Sequence, residues 1–72
     1  MSEITLGIIG GGQLGSMLAI AAKKLNVKTV IFCNDIEAPA QNFCNQFVTG
    51  SYDDKEKISE FINQVDLVTY EF

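Results

Sequence analysis

The stretch GIIGGGQLGSMLAIAAKKL, residues 7–25, sets three consecutive glycines between an apolar run and a segment of helical period. Residues 4–9, mostly apolar and β-branched, read as a strand buried on both faces. The glycines end it, since they bring no side chain to pack on a sheet and order their backbone at a high entropic cost. Beyond them Leu14, Met17, Leu18, Ala21, Ala22 and Leu25 recur at three- and four-residue steps, which predicts an amphipathic helix over residues 13–25 with those side chains on its apolar face. Lys23 and Lys24 stand near its negative end, and Asn26 is its stop signal. A strand, a glycine turn and a helix in that order leave few folds open.

The same alternation runs through the rest of the chain. A second strand is expected over Lys28–Phe32, then a loop with a short helix starting near Ala38 or Pro39, where proline suits the first turn. A short third strand covers Phe47–Thr49 and ends at Gly50. Asp53 followed by Glu56 resembles a capping box, with Ile58, Phe61, Ile62 and Val65 as the apolar face of the helix it opens. DLVTYEF reads as a fourth strand. Strands alternating with helices predict a parallel sheet with right-handed crossovers, the opening of a doubly wound α/β domain with strand order 3-2-1-4. All of residues 1–72 fall in one such domain. An apolar strand at an open edge invites aggregation, so the sequence is expected to be the N-terminal piece of a longer protein, by truncation or by interruption.

Gly10, Gly12 and Gly15 fit the spacing G-x-G-x-x-G in its proper strand-to-helix setting. In that setting Gly10 permits the tight turn, Gly12 leaves room for a ligand against the backbone, and Gly15 lets the helix approach the strand. The amides near Gln13 and Leu14 then form an anion site at the positive helix end. NAD asks for one residue more, an acidic side chain at the end of the second strand that bonds the ribose hydroxyls. That strand ends at Phe32 and Cys33, and Asp35 lies two residues further on. NAD is therefore disfavoured, which leaves a loop that holds another phosphate or ribose, or a glycine turn that binds nothing.

Several function classes are set aside by composition. A formal charge of −4 without a basic cluster argues against nucleic acid and anionic membranes. No apolar run approaches a membrane span of about 18 residues. Cys33 and Cys44 have no metal-ligand spacing and read as reduced thiols of a cytoplasmic protein. The sequence contains no histidine, which excludes a Cys–His nucleophile within it. Asp53, Asp54 and Glu56 read as a solvated helix start rather than metal ligands, Tyr52 and Tyr70 as packing residues with one wet edge, and Phe43, Phe47 and Phe61 as core.

In order and spacing, GIIGGGQLGSMLAIAAKKLNVKTVIF, APAQ, GSYDD and VTYEF resemble the start of the 5-(carboxyamino)imidazole ribonucleotide synthase family. That family is the ATP-dependent subunit of phosphoribosylaminoimidazole carboxylase and belongs to the ATP-grasp superfamily. The resemblance implies a Rossmann-like domain ahead of the ATP-grasp fold, in an enzyme of purine biosynthesis. It implies use of ATP and Mg²⁺ to activate bicarbonate and carboxylation of 5-aminoimidazole ribonucleotide, with the ATP and metal sites in later domains. Toward the ribonucleotide it implies Gly10, Gly11, Gly12, Gln13 and Leu14 of the glycine loop, and the acidic Glu71 of YEF. No catalytic residue is expected in the 72 residues, which alone should be inactive, and a homodimer is one assembly left open. Family members usually carry aspartate at the place of Cys33 and often a basic residue at that of Ser16. Two other classes stand beside this reading: an NAD(P)-binding oxidoreductase domain, and a non-catalytic remnant or interaction module.

Overall fold

The structure, a computed structural model, describes residues 4–70. Its elements are β1 (Thr5–Ile9), α1 (Gln13–Lys24), β2 (Lys28–Cys33), a 3-10 turn (Pro39–Asn42), β3 (Gln46–Thr49), α2 (Lys55–Asn63) and β4 (Leu67–Tyr70). The four strands form one parallel sheet in the order β3-β2-β1-β4. This is the sheet order expected from the alternation of elements, with β1 at its centre.

Successive side chains of β2 serve opposite faces of the sheet, so the strand builds two cores at once. Ile31 and Cys33 join Ile8, Ala19, Ala38 and Ala40 on the α1 side. Val30 and Phe32 join Phe61 on the α2 side, with Ile9, Val48, Tyr52, Ile58 and Val65 against them. The Phe32 and Phe61 rings meet at 5.6 Å in a tilted pair, and Phe32 meets Tyr52 at 6.0 Å, the offset geometry that ring quadrupoles favour. Gly7 makes room for this second core, because a Cβ there would stand 2.8 Å from Phe61 Cζ and 2.9 Å from Val65 Cγ2.

α1 does not bury the face its periodicity suggests. Its buried residues are Gly15, Ser16, Ala19 and Ala22, while Leu14, Met17, Leu18 and Leu25 are exposed. A helix lying directly over a sheet brings its axis closest along a stripe of small residues, and that stripe decides the orientation here. The larger side chains are left to flank the contact and cover other surface. Phe43 also departs from expectation. It closes the 3-10 turn through its N–H on the Ala40 carbonyl at 3.0 Å, and its side chain is exposed rather than core. Ile62 is exposed as well, since α2 faces the sheet through Ile58 and Phe61, joined by Val65 just beyond its end.

The cap of α2 falls one residue later than the sequence suggests. The Asp53 N–H donates to Ser51 Oγ at 3.1 Å and the Asp54 N–H to the Ser51 carbonyl at 3.0 Å. That turn uses up Asp53, so Asp54 becomes the N-cap and accepts from the Lys57 N–H at 3.1 Å, an interaction worth about 1 kcal/mol. Lys57 cannot return the bond of a capping box and donates through Nζ to the Thr49 carbonyl at 3.1 Å instead. At the end of α1, Asn26 takes the left-handed conformation, φ 62°, and its N–H donates to the Lys23 carbonyl at 3.1 Å. With the Val27 N–H donating to the Ala22 carbonyl at 2.8 Å, the stop signal read from the sequence is a Schellman cap.

Among the described residues one buried side-chain polar atom is unmatched. Thr29 is 1% exposed, and among the described residues its Oγ1 has no hydrogen-bond partner. A buried, unsatisfied hydroxyl costs about 1–3 kcal/mol, so Thr29→Val, which keeps the β-branch, is expected to stabilise the chain by about 1 kcal/mol. In a domain of this size that corresponds to a rise in Tm of roughly 4–8 °C, measured by thermal unfolding followed by circular dichroism. An unchanged or lower Tm would show that the hydroxyl is satisfied in solution.

Candidate functional site

The sequence places its ligand-directed residues on the turn after β1, and the structure gives that turn an unusual backbone. Gly10 has φ 110°, a conformation costly to any L side chain. Its N–H donates to the Phe32 carbonyl at 2.8 Å, which ties the end of β1 to β2. Gly12 is the N-cap of α1, with φ −78° and ψ −157°, an extended conformation open to any residue, and it makes no side-chain cap. The carbonyl of Gly12 accepts from both the Ser16 N–H at 2.9 Å and Ser16 Oγ at 3.0 Å, so the first turn is held from within. No acidic residue stands in that turn. The amides of Gln13 and Leu14 have no intrahelical acceptor by position, and the helix dipole adds positive potential there.

The place of this turn in the sheet matters as much as its shape. β2 lies on one side of β1 and β4 on the other, so the chain leaves β1 at the point where the strand order reverses. Ligands of open α/β sheets bind in the crevice outside the carboxyl ends of the strands at such a point. Ile9 pairs with Tyr70 across β1 and β4. Between α1 and β4 on this side of β1 lies an open groove of about 540 Å³, lined by Leu14, Met17, Leu18, Thr69 and Tyr70. Leu14, which lines it, and its neighbour Gln13 are both exposed.

Of the predicted site residues, Gly10, Gly11, Gly12, Gln13 and Leu14 come together as one turn. Glu71 lies outside the described residues and follows Tyr70 directly in sequence. Thr69 and Tyr70 were not singled out for the site, although the predicted strand order already puts the end of the fourth strand beside the first glycine turn. Tyr70 is 67% exposed and lines the groove, so it packs far less than expected. Tyr52 is the packing residue of the two tyrosines, its ring on Phe32 and its hydroxyl donating to Cys33 Sγ at 3.8 Å.

At the end of β2 the residue that would read a dinucleotide ribose is Cys33, buried and unable to accept as a carboxylate does. Asp35 does not replace it, because its Oδ1 accepts from the Glu37 N–H at 2.9 Å in an exposed turn. Both cysteines are free. Burial pushes the Cys44 thiol up from its ordinary range, which makes it a poorer nucleophile near neutral pH. Among the described residues no three His, Cys, Asp or Glu side chains converge as metal ligands, and no helix is long and apolar enough to cross a membrane.

Comparison with known proteins agrees with this arrangement. The family model of the ribonucleotide synthetase preATP-grasp domain matches residues 3–72. The N5-carboxyaminoimidazole ribonucleotide synthase of Staphylococcus haemolyticus is 41% identical over 68 residues, which is 94% of this chain and 18% of that protein. The same enzyme of Staphylococcus epidermidis is 40% identical over the same share of each. Among solved structures, N5-carboxyaminoimidazole synthetase from Staphylococcus aureus in complex with ADP superposes with a TM-score of 0.93 at 38% identity, over 96% of this chain and 18% of that one. The phosphoribosylaminoimidazole carboxylase ATPase subunit from Aquifex aeolicus gives 0.82 at 36% identity, over 96% and 21%. The chain thus spans about a fifth of the length of these relatives.

Proposed function

The chain belongs to the ribonucleotide synthetase preATP-grasp domain family, and from that premise we propose that it supplies the ribonucleotide-holding domain of an enzyme carboxylating 5-aminoimidazole ribonucleotide. That reaction, in purine biosynthesis, consumes bicarbonate and ATP. The observation that carries the proposal is the glycine turn at the reversal of strand order, in a chain 41% identical to an N5-carboxyaminoimidazole ribonucleotide synthase. In this role the amides of Gln13 and Leu14 receive an anionic oxygen of the substrate, as helix N-termini do. Gly12 keeps the approach clear of a side chain. Gly10 holds the turn in a shape another residue would strain. Glu71, next in sequence to Tyr70, supplies a carboxylate that accepts from an amine or hydroxyl.

The carboxylation needs an activated bicarbonate, which ATP with Mg²⁺ supplies when bound. The described residues do not fit the metal, since no cluster of ligating side chains forms among them. We therefore assign this chain no step on ATP or the metal. Its part is binding and orientation, which raise a rate by holding the reacting amine in place.

The test joins residues 1–72 to the remainder of the Staphylococcus haemolyticus enzyme in place of its own matched segment. Phosphate release dependent on both bicarbonate and 5-aminoimidazole ribonucleotide is expected from the joined protein and not from the 72-residue chain alone. A joined protein that folds and hydrolyses no ATP with the ribonucleotide present would refute the assignment.

A further inference from the structure

We propose that the segment Asp35–Asn42 is a specificity strap, which closes the β2 flank of the glycine turn and restricts it to phosphate ligands whose remainder extends toward β4. The inference rests on the reading of that turn as a phosphate site and goes beyond it to say what else such a ligand can carry.

After β2 the chain folds back over the turn. The Ala40 N–H donates to the Gly11 carbonyl at 3.0 Å, and Ala38 and Ala40 are 3% and 0% exposed. The contact is tight enough that a Cβ on Gly11 would stand 2.8 Å from the Ala38 Cβ and 3.1 Å from Cys33 Sγ. The strap is internally braced. The Ala38 N–H donates to the Asp35 carbonyl at 3.1 Å, the Glu37 N–H to Asp35 Oδ1 at 2.9 Å, and Gln41 Nε2 to the Ile36 carbonyl at 2.8 Å. Pro39 fixes φ where the 3-10 turn begins.

In a dinucleotide fold the adenosine ribose lies over this flank, between the glycine turn and the end of the second strand. Here Ala38 and Ala40 occupy the approach to the Gly11 backbone, and Cys33 beneath them is buried. A ribose could reach the strand end only by displacing the strap. The opposite flank is open, as the groove of Leu14, Met17, Leu18, Thr69 and Tyr70 shows. A dinucleotide, whose pyrophosphate carries a nucleoside on each side, needs both flanks. A ribose monophosphate needs one. The strap therefore selects by filling space, in addition to the missing carboxylate at Cys33.

The experiment follows the backbone amides of the isotope-labelled 72-residue chain by NMR during titration with inorganic phosphate, ribose 5-phosphate and NAD. Phosphate and ribose 5-phosphate are expected to shift the amides of Gly12, Gln13 and Leu14, ribose 5-phosphate to shift Thr69 and Tyr70 as well, and neither to move Ala38 or Ala40. NAD at ten times the ribose 5-phosphate midpoint is expected to leave the turn unshifted. In the double variant Ala38→Gly, Ala40→Gly the loosened strap should lower the NAD midpoint at least threefold, with ribose 5-phosphate unchanged within twofold. Shifts of the turn by NAD in the parent chain would overturn the strap while leaving the phosphate reading intact, as would a folded double variant that gains nothing for NAD. A turn silent to phosphate and ribose 5-phosphate overturns both. Should the double variant not fold, the single variant Ala38→Gly, which removes the Cβ that stands against Gly11, takes its place under the same criterion.

Discussion

Phe61→Ala is expected to remove roughly 3–5 kcal/mol of stability, the range for truncating a fully buried phenylalanine. Phe61 is 0% exposed, stacks on Phe32 and fills the space that Gly7 leaves over β1. A chain of 72 residues commands only about 4–11 kcal/mol in total at typical values per residue. The substitution therefore takes about a quarter of it at best and more than all of it at worst, and urea unfolding should show a midpoint shifted far toward water or no cooperative transition at all. Phe43→Ala is the control, because that ring is 43% exposed and its loss should cost less than about 1 kcal/mol. The seating on Gly7 has its own signature. Gly7→Ala in the parent must push a Cβ to within 2.8 Å of Phe61 Cζ, an overpacking worth about 1–3 kcal/mol. In the Phe61→Ala background that obstacle is gone and Val65 alone opposes the methyl, so the two costs should fail to add. Additive costs would mean that the helix shifts rather than the ring yields.

Most of the fold was legible because it is set by strong, local signals. Glycines after an apolar run, Pro39 at the first position of the 3-10 turn and Asn26 after the helix each act through backbone conformation, which does not depend on distant partners. The alternation of elements then leaves the strand order almost no freedom. What the sequence hid was the face of α1. Leucine and methionine dominate a hydrophobic pattern, yet helix-to-sheet distance is set by the smallest residues, and Gly15, Ser16, Ala19 and Ala22 carry little weight in such a pattern. The cap of α2 was missed by one residue because Ser51, a turn former with no helical signal, competes for Asp53. The site divided along the same line. The glycine turn is a local feature and was visible, whereas its neighbours Thr69 and Tyr70 come from a strand some sixty residues away and join it only through the β1–β4 register. The strap was hidden for the same reason, since a run such as APAQ gives no sign that Ala40 will bond Gly11.

Gly12→Val is expected to abolish ribonucleotide binding while sparing the fold, and this separates a ligand role from a structural one. Gly10 could not be used for the purpose, because at φ 110° any side chain strains the backbone. Gly12, at φ −78° and ψ −157°, is extended and outside the left-handed region that favours glycine, so the stability change should be confined to the poorer N-cap, about 1 kcal/mol. Its isopropyl group would stand at the start of α1, where the Gln13 and Leu14 amides must meet an anionic oxygen. In the protein joined to the Staphylococcus haemolyticus remainder, binding of 5-aminoimidazole ribonucleotide by calorimetry should fall below detection. Glu71→Ala should behave differently. One hydrogen bond to a charged group is worth about 1.5–3 kcal/mol, which is a ten- to hundred-fold weakening with thermal stability unchanged. If Glu71 is only a solvated residue after β4, affinity changes less than about twofold and the carboxylate leaves the site. If Gly12→Val binds as the parent does, the turn itself is not the anion site, because no ligand could reach the first-turn amides past that side chain.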